Sequence, residues 1–185
     1  SNTAVILTSD HGINLPTDDI ENWRMKQFSL ERMKVPLLLR CPWRPETFKK
    51  TYSGYVESSI DLSPTILDLS KIKANTSTYS KSFLPDHTGC HEGKKYVLSE
   101  MLYKDRYDCR IINKSFEYYM SFHFDEDEPV TEKIKEIKSD TFINLSDDSN
   151  KDVLKEFQAI VFDLQLLTKK DTTLSQFEFI NNFIN

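Results

Sequence analysis

The sequence predicts an α/β protein: part of a parallel sheet, then a small antiparallel sheet backed by a C-terminal helix. Three observations carry this. "TAVILT" (3–8) and "VPLLLR" (35–40) are short runs with apolar residues on both faces, as in covered parallel strands. A helical pattern comes after the second run. Brief β-like runs then lead to a long amphipathic segment, and strands mixed with helices in this way place the chain in the α/β class.

Taken in order, residues 3–8 form the first strand. Residues 13–25 are polar, contain Pro16 and an acidic cluster, and read as a loop. Residues 35–40 form the second strand, ended by "CPWRP". The helix begins at "IDLSPTILDLSKI", with Asp61 or Ser63 as its cap and Pro64 at its first position. Ile66, Leu67 and Leu69 supply its buried side. The character changes near Lys81–Gly93, which divides the chain into regions 1–90 and 91–185. In the second region "YVLSEM", "CRIIN", "FEYYMSF" and "TFINL" read as an antiparallel sheet, and "DEDEPVTEKIKEIKSD" as a solvated excursion. From Asn150 to Leu167 the pattern is helical, with Val153, Leu154, Phe157, Ile160, Val161, Leu164 and Leu167 on one side. "LSQFEFINNFIN" reads as a last helix.

Composition narrows the function classes. The 185 residues suit one domain, or one with a small second. Apolar content of 38% and charged content of 29% are ordinary for a soluble globular chain. A net charge of -5 gives no electrostatic reason to expect nucleic acid. No apolar run reaches the roughly 18 residues that a membrane span requires. Ser1-Asn2-Thr3 carries neither the basic region nor the apolar run of a secretory leader. The cysteines, Cys41, Cys90 and Cys109, are odd in number and lack metal spacing. Asn75-Thr-Ser, Asn113-Lys-Ser and Asn144-Leu-Ser match the glycosylation sequon, a pattern that recurs by chance in Asn/Ser-rich chains.

The first strand runs into Asp10-His11-Gly12. A sheet holds its backbone rigid, so both side chains would leave a fixed edge at the carboxyl end of the strand, where α/β proteins place ligands. Asp10 offers a hard oxygen and His11 a nitrogen, a set suited to several divalent metals. Gly12 permits a sharp exit beside an ion. Asp-His-Gly by itself also reads as a plain strand-end turn. The later motifs decide between the two. "TSDHG", Lys26 followed by Glu31, "KVPLLLRCP", "SSIDLSPTILDLSKI" and "SKSFLP" occur in an order that resembles the C-terminal half of a sulfatase. The family is the formylglycine-dependent type in the alkaline phosphatase superfamily. "SKSFLP" lacks the family's glycine there, and "TFINLSDDSNK" matches its later motif loosely, without the Pro and Glu.

The resemblance implies an alkaline-phosphatase-like fold and sulfate-ester hydrolysis, of which arylsulfatase activity is one form. It assigns Asp10 and His11 to one divalent cation, usually calcium. Lys26 matches the lysine that contacts the sulfate, and Arg24 could substitute for it. The implied substrate is a sulfated small molecule or glycan. Family members are often secreted, periplasmic or lysosomal. The nucleophile motif, Cys/Ser-x-Pro-x-Arg, does not occur in these 185 residues, and "CPWRP" around Cys41 reads Cys-Pro-x-Arg after the wrong strand. The formylglycine and the first acidic metal pair are expected upstream of Ser1, and the chain alone is expected to be inactive. His87, His91 and His123 match no family ligand, while Glu100 and Asp105 are candidates for the cleft. The alternatives are a phosphoryl- or phosphonate-ester hydrolase of the same superfamily, or a non-catalytic binding domain.

Overall fold

Apolar segments far apart in the first hundred residues pair with one another before any long helix appears. The structure, a computed structural model, describes residues 3–13, 28–43, 54–73, 79–84, 93–103, 106–123 and 131–169, less the side chains of 102, 103, 162 and 164–169. The chain divides into two compact units, Ser1–Val97 and Leu98–Asn185.

In the first unit β1 (Val5–Leu7) pairs with β2 (Leu38–Arg40), Val5 opposite Arg40 and Leu7 opposite Leu38. The pairing is antiparallel, which corrects the parallel arrangement expected of these strands. A parallel pair needs a crossover, usually a helix that packs back on the sheet. Among the described residues the connection holds only α1 (Leu30–Met33), a single turn capped by Ser29. The continuous apolar runs are also not covered on both faces. Val5, Leu7 and Leu38 are 47%, 55% and 62% exposed, and they share one face of the pair.

The long helix of this unit, α2 (Ser58–Leu69), starts earlier than its sequence suggests. Its cap is Glu57, and Pro64 lies inside the helix instead of at its first position. Asp61 explains the shift. From one turn inside the helix, its Oδ2 accepts the Glu57 N–H at 2.9 Å, while Oδ1 accepts the Lys81 N–H at 2.8 Å. Thr65, fully buried, donates to the Asp61 carbonyl at 2.6 Å and accepts the Phe83 N–H at 3.1 Å. Ser82 donates to Asp68 at 2.9 Å. The "SKSFLP" segment is therefore bonded along α2, and its Phe83 and Leu84 are buried. The buried stripe of the helix is Asp61, Pro64 and Thr65, whereas Ile66, expected inside, is 51% exposed.

Lys94 completes this cluster. Its ammonium lies 2.5 Å from Glu57 and 2.9 Å from Asp61, and 4.2 Å from the centre of the Tyr79 ring. Tyr79 also donates to Glu57 at 3.0 Å. All three charged side chains are less than a tenth exposed. The helix ends in a Schellman motif: Ile72 N–H bonds the Leu67 carbonyl at 2.9 Å and Lys71 N–H the Asp68 carbonyl at 3.1 Å. This requires a left-handed residue, and Lys71 sits there at φ 58° where glycine is the usual choice.

The second unit is a five-stranded sheet in the order β3 (Tyr96–Tyr103), β4 (Arg106–Asn113), β5 (Phe116–His123), β6 (Thr131–Glu136), β7 (Thr141–Phe142). The small antiparallel sheet and the C-terminal helix are as the sequence predicts. The strand β6 is not: "TEKIKE" lies within the segment read as a solvated excursion. Its one apolar residue, Ile134, is fully buried opposite Tyr118. Side chains alternate across β4 and β5. One face carries Tyr107, Cys109, Ile111, Tyr118, Met120 and Phe122, all buried. Against Tyr118 stacks Phe157 of α3 (Lys151–Lys169), ring centres 5.1 Å apart and nearly parallel. Val161 is buried on the same helix, while the side chains of Leu164 and Leu167 and the whole of "LSQFEFINNFIN" lie outside the described residues. Among the described residues no helix is long and apolar enough to cross a membrane.

Two stability changes follow. Lys94→Met leaves Glu57 and Asp61 buried without their cation, and should destabilise the fold by about 3–5 kcal/mol in urea titration. Lys71→Gly removes the left-handed strain and should raise stability by about 0.5–1 kcal/mol in the same measurement, net of the greater unfolded-state entropy of glycine.

Candidate metal-binding turn

Two residues, Thr8 and Ser9, separate the last residue of β1 from Asp10. The hydroxyl of Ser9 donates to the His11 carbonyl at 2.8 Å, which folds the turn back on itself. Asp10 Oδ1 accepts the His11 backbone N–H at 2.8 Å. Asp10 Oδ2 is left 3.7 Å from His11 Nε2, with the two side chains 85% and 51% exposed. The His11 amide, and after it the charge of the imidazole, hold the Asp10 carboxyl below its ordinary value of 3.8.

Gly12 fixes the turn from the other side. Its N–H donates to the Arg32 carbonyl at 2.6 Å, which ties the turn to the backbone of α1. A Cβ at this position would lie 2.0 Å from the Glu31 carbonyl oxygen and 3.2 Å from the Arg32 Cα. The sharp exit expected of Gly12 is thus a close approach of two backbones.

The other residues singled out from sequence are placed as follows. Lys26, Arg24, His87, His91, Asp105, Cys90 and Asn75 lie outside the described residues. His123 ends β5, opposite Arg106 in the ladder, in the second unit. Glu100 is exposed on β3 and accepts from the Tyr107 hydroxyl at 2.5 Å. Cys41 is buried directly after β2, in keeping with a structural place for "CPWRP". Cys109 is fully buried, and burial pushes its thiol up, away from the thiolate a nucleophile needs.

Sequence reasoning passed over two polar clusters. One is Glu57–Asp61–Lys94. The other joins Arg106 to Asp108 at 2.8 Å and Asp108 to the Tyr119 hydroxyl at 3.2 Å on the second face of the sheet. Its signal was present: Arg106, Asp108 and Arg110 alternate along a strand, so they share one face.

Among the described residues no three His, Cys, Asp or Glu side chains gather as a metal cluster. The Asp10–His11 pair is nonetheless a fit in kind to a divalent cation. It presents a carboxylate oxygen and an imidazole nitrogen, both open to solvent and close enough to share one ion at ligand distances of about 2.0–2.6 Å.

Comparison with known proteins gives a family match over the first part of the chain. Residues 1–72, which contain β1, the Asp10–His11 turn, β2 and α2, match the family described as Sulfatase. Two solved structures share the fold. One was assigned as a sulfatase from Bacteroides thetaiotaomicron VPI-5482 (23% identity, TM-score 0.66). The other is described as a 2-O GAG sulfatase (22% identity, TM-score 0.66). Each match covers 92% of this chain and 37% of the other. The chain therefore resembles sulfatases in sequence over residues 1–72, and it shares the fold of these two solved structures over the matched part. No curated protein matches the chain in sequence.

The geometry at Asp10 can be measured directly. In a carbon-detected NMR titration its carboxyl midpoint should fall below 3.8, the ordinary value for an aspartate. Because the folded value is the lower one, the group's contribution to stability is present above the unfolded value and lost as pH falls through the folded value. His11→Pro removes the donating amide and should bring the midpoint back up.

Proposed function

We propose that this chain forms part of a sulfate-ester hydrolase in which Asp10 and His11 are two ligands of one divalent cation, Ca²⁺ in the first instance. The observation that carries the reading is the Asp10–His11 turn, with both donors exposed and 3.7 Å apart, inside the segment that matches the sulfatase family. A bound ion supplies Lewis-acid polarisation of the ester oxygens and a template for the reacting groups. Asp10 contributes negative charge as well as a ligand oxygen, and its depressed pKa keeps it ionised well below neutral pH. His11 contributes a neutral nitrogen. Lys26 offsets charge on the sulfate group, as electrostatic stabilisation of a transferring group requires.

Two ligands fall short of the six to eight oxygens that calcium takes. The further ligands and the formylglycine nucleophile are assigned to polypeptide that these 185 residues do not contain. The substrate class is a sulfate ester of a small molecule or glycan.

The test uses aryl sulfate and aryl phosphate side by side, each with excess Ca²⁺. The 185-residue chain alone should turn over neither; metal-dependent hydrolysis by it would overturn the two-part reading. In a longer protein that contains this chain and a Cys/Ser-x-Pro-x-Arg motif, sulfate should be the better substrate. There Asp10→Ala should lower kcat/KM more than His11→Ala does, since an oxygen-preferring cation depends more on the carboxylate.

A further inference from the structure

Resting on the reading of Asp10 and His11 as ligands, we propose that Gly12 is a positioning residue that sets which nitrogen of His11 faces the cation. His11 Nδ1 lies 2.7 Å from the Gly12 carbonyl oxygen. A carbonyl oxygen can only accept, so the hydrogen sits on Nδ1 and the lone pair of the neutral ring is left on Nε2. Nε2 is the nitrogen beside Asp10 Oδ2. A histidine ligand commonly donates its second N–H to a backbone carbonyl, which fixes both tautomer and ring orientation. Here that carbonyl belongs to the glycine.

The glycine's own position is held by the chain behind it. Its N–H is bonded to Arg32, and the Glu31 carbonyl occupies the space where a side chain would begin. No side chain can be added without separating the two backbones, because a Cβ essentially never approaches an oxygen to 2.0 Å. Separation would move the Gly12 carbonyl away from Nδ1 and free the ring to turn or change tautomer. The Ser29 cap of α1 is the outermost part of the same arrangement: its side chain accepts the Arg32 N–H at 3.3 Å and fixes the strip of backbone against which Gly12 rests.

The experiment is ¹⁵N NMR on the whole 185-residue chain, at a pH where the imidazole is neutral. Wild type should show a protonated Nδ1 and an unprotonated Nε2 at His11, with the Gly12 amide protected from hydrogen exchange. Gly12→Ala should speed exchange at residue 12 at least tenfold and lose the Nδ1–H signature, with the spectrum of the second unit unchanged. A wild-type His11 protonated on Nε2 would overturn the proposal without reference to any variant. So would an alanine variant that keeps the wild-type tautomer. Mn²⁺ is then added as a probe of the metal reading. A two-ligand site binds weakly, so Mn²⁺ is raised into the millimolar range; if His11 is still not broadened in wild type while the tautomer is as stated, the metal assignment fails and only the control of the tautomer by Gly12 stands. If it broadens His11 at the same concentration in both proteins, the positioning role fails and the metal assignment stands.

Discussion

The carboxylate of Asp61 organises the first unit. It is 2% exposed and bonded to two backbone amides and an ammonium, so its charge is compensated from three directions. One amide lies at the start of α2, the second belongs to the strip that runs beside the helix, and the cation comes from residue 94. A buried charge is tolerated only when it is paired and fully hydrogen-bonded. Removing any one contact strands the others, so these three pieces of chain are held in one register. The motif "SSIDLSPTILDLSKI" thus has a structural meaning apart from any chemistry: its acidic residue is a clamp. Thr65 extends the clamp by a turn.

The Asp10–His11 turn follows a different logic. Its two polar side chains are exposed, and the turn is held by short hydrogen bonds around them and by one backbone bond to Arg32. The hydroxyl of Ser9, the amide of His11 and the amide of Gly12 each engage a near neighbour, and none of these bonds uses Asp10 Oδ2 or His11 Nε2. Two donor atoms are left pointing outward on a fixed frame. On the proposed reading, such a frame would meet the cost of ordering the two ligands before an ion binds.

The architecture of the second unit was legible because its strands alternate and its helix has a clear apolar stripe. What escaped was β6, whose single inward apolar residue, Ile134, is masked by Glu and Lys on both sides. Charge density reads as solvent, yet a strand bonded to neighbours on both sides is held by its ladders and needs only one buried side chain to fix which face turns inward. The pairing sense of β1 and β2 escaped for another reason. An apolar run shows that a strand is to be buried, but says nothing about the direction of its neighbour. At α2 the acidic residue and the proline were both recognised as helix-start signals, and both were displaced inward. Asp61 reaches back over a full turn to the first amide, a distance that local capping rules do not cover. In the candidate site, the placing of Asp10 and His11 just beyond β1 and the sharp exit at Gly12 were readable from residue types. The close approach of Gly12 to Glu31 was not, because the two come near only once the chain has folded.

The β1–β2 pair has a consequence for how the molecule assembles. Thirty residues lie between Leu7 and Leu38, and the pair is short. Closing a loop of that length costs conformational entropy before any strand contact rewards it. The cluster around α2, by contrast, draws mainly on residues 57–84, with local helix bonds to nucleate it. Folding should therefore begin at α2 and reach the N-terminal strand late. The turn with Asp10 and His11 hangs on that strand and docks on α1, so the two candidate ligands belong to the part of the unit that takes shape last and opens first.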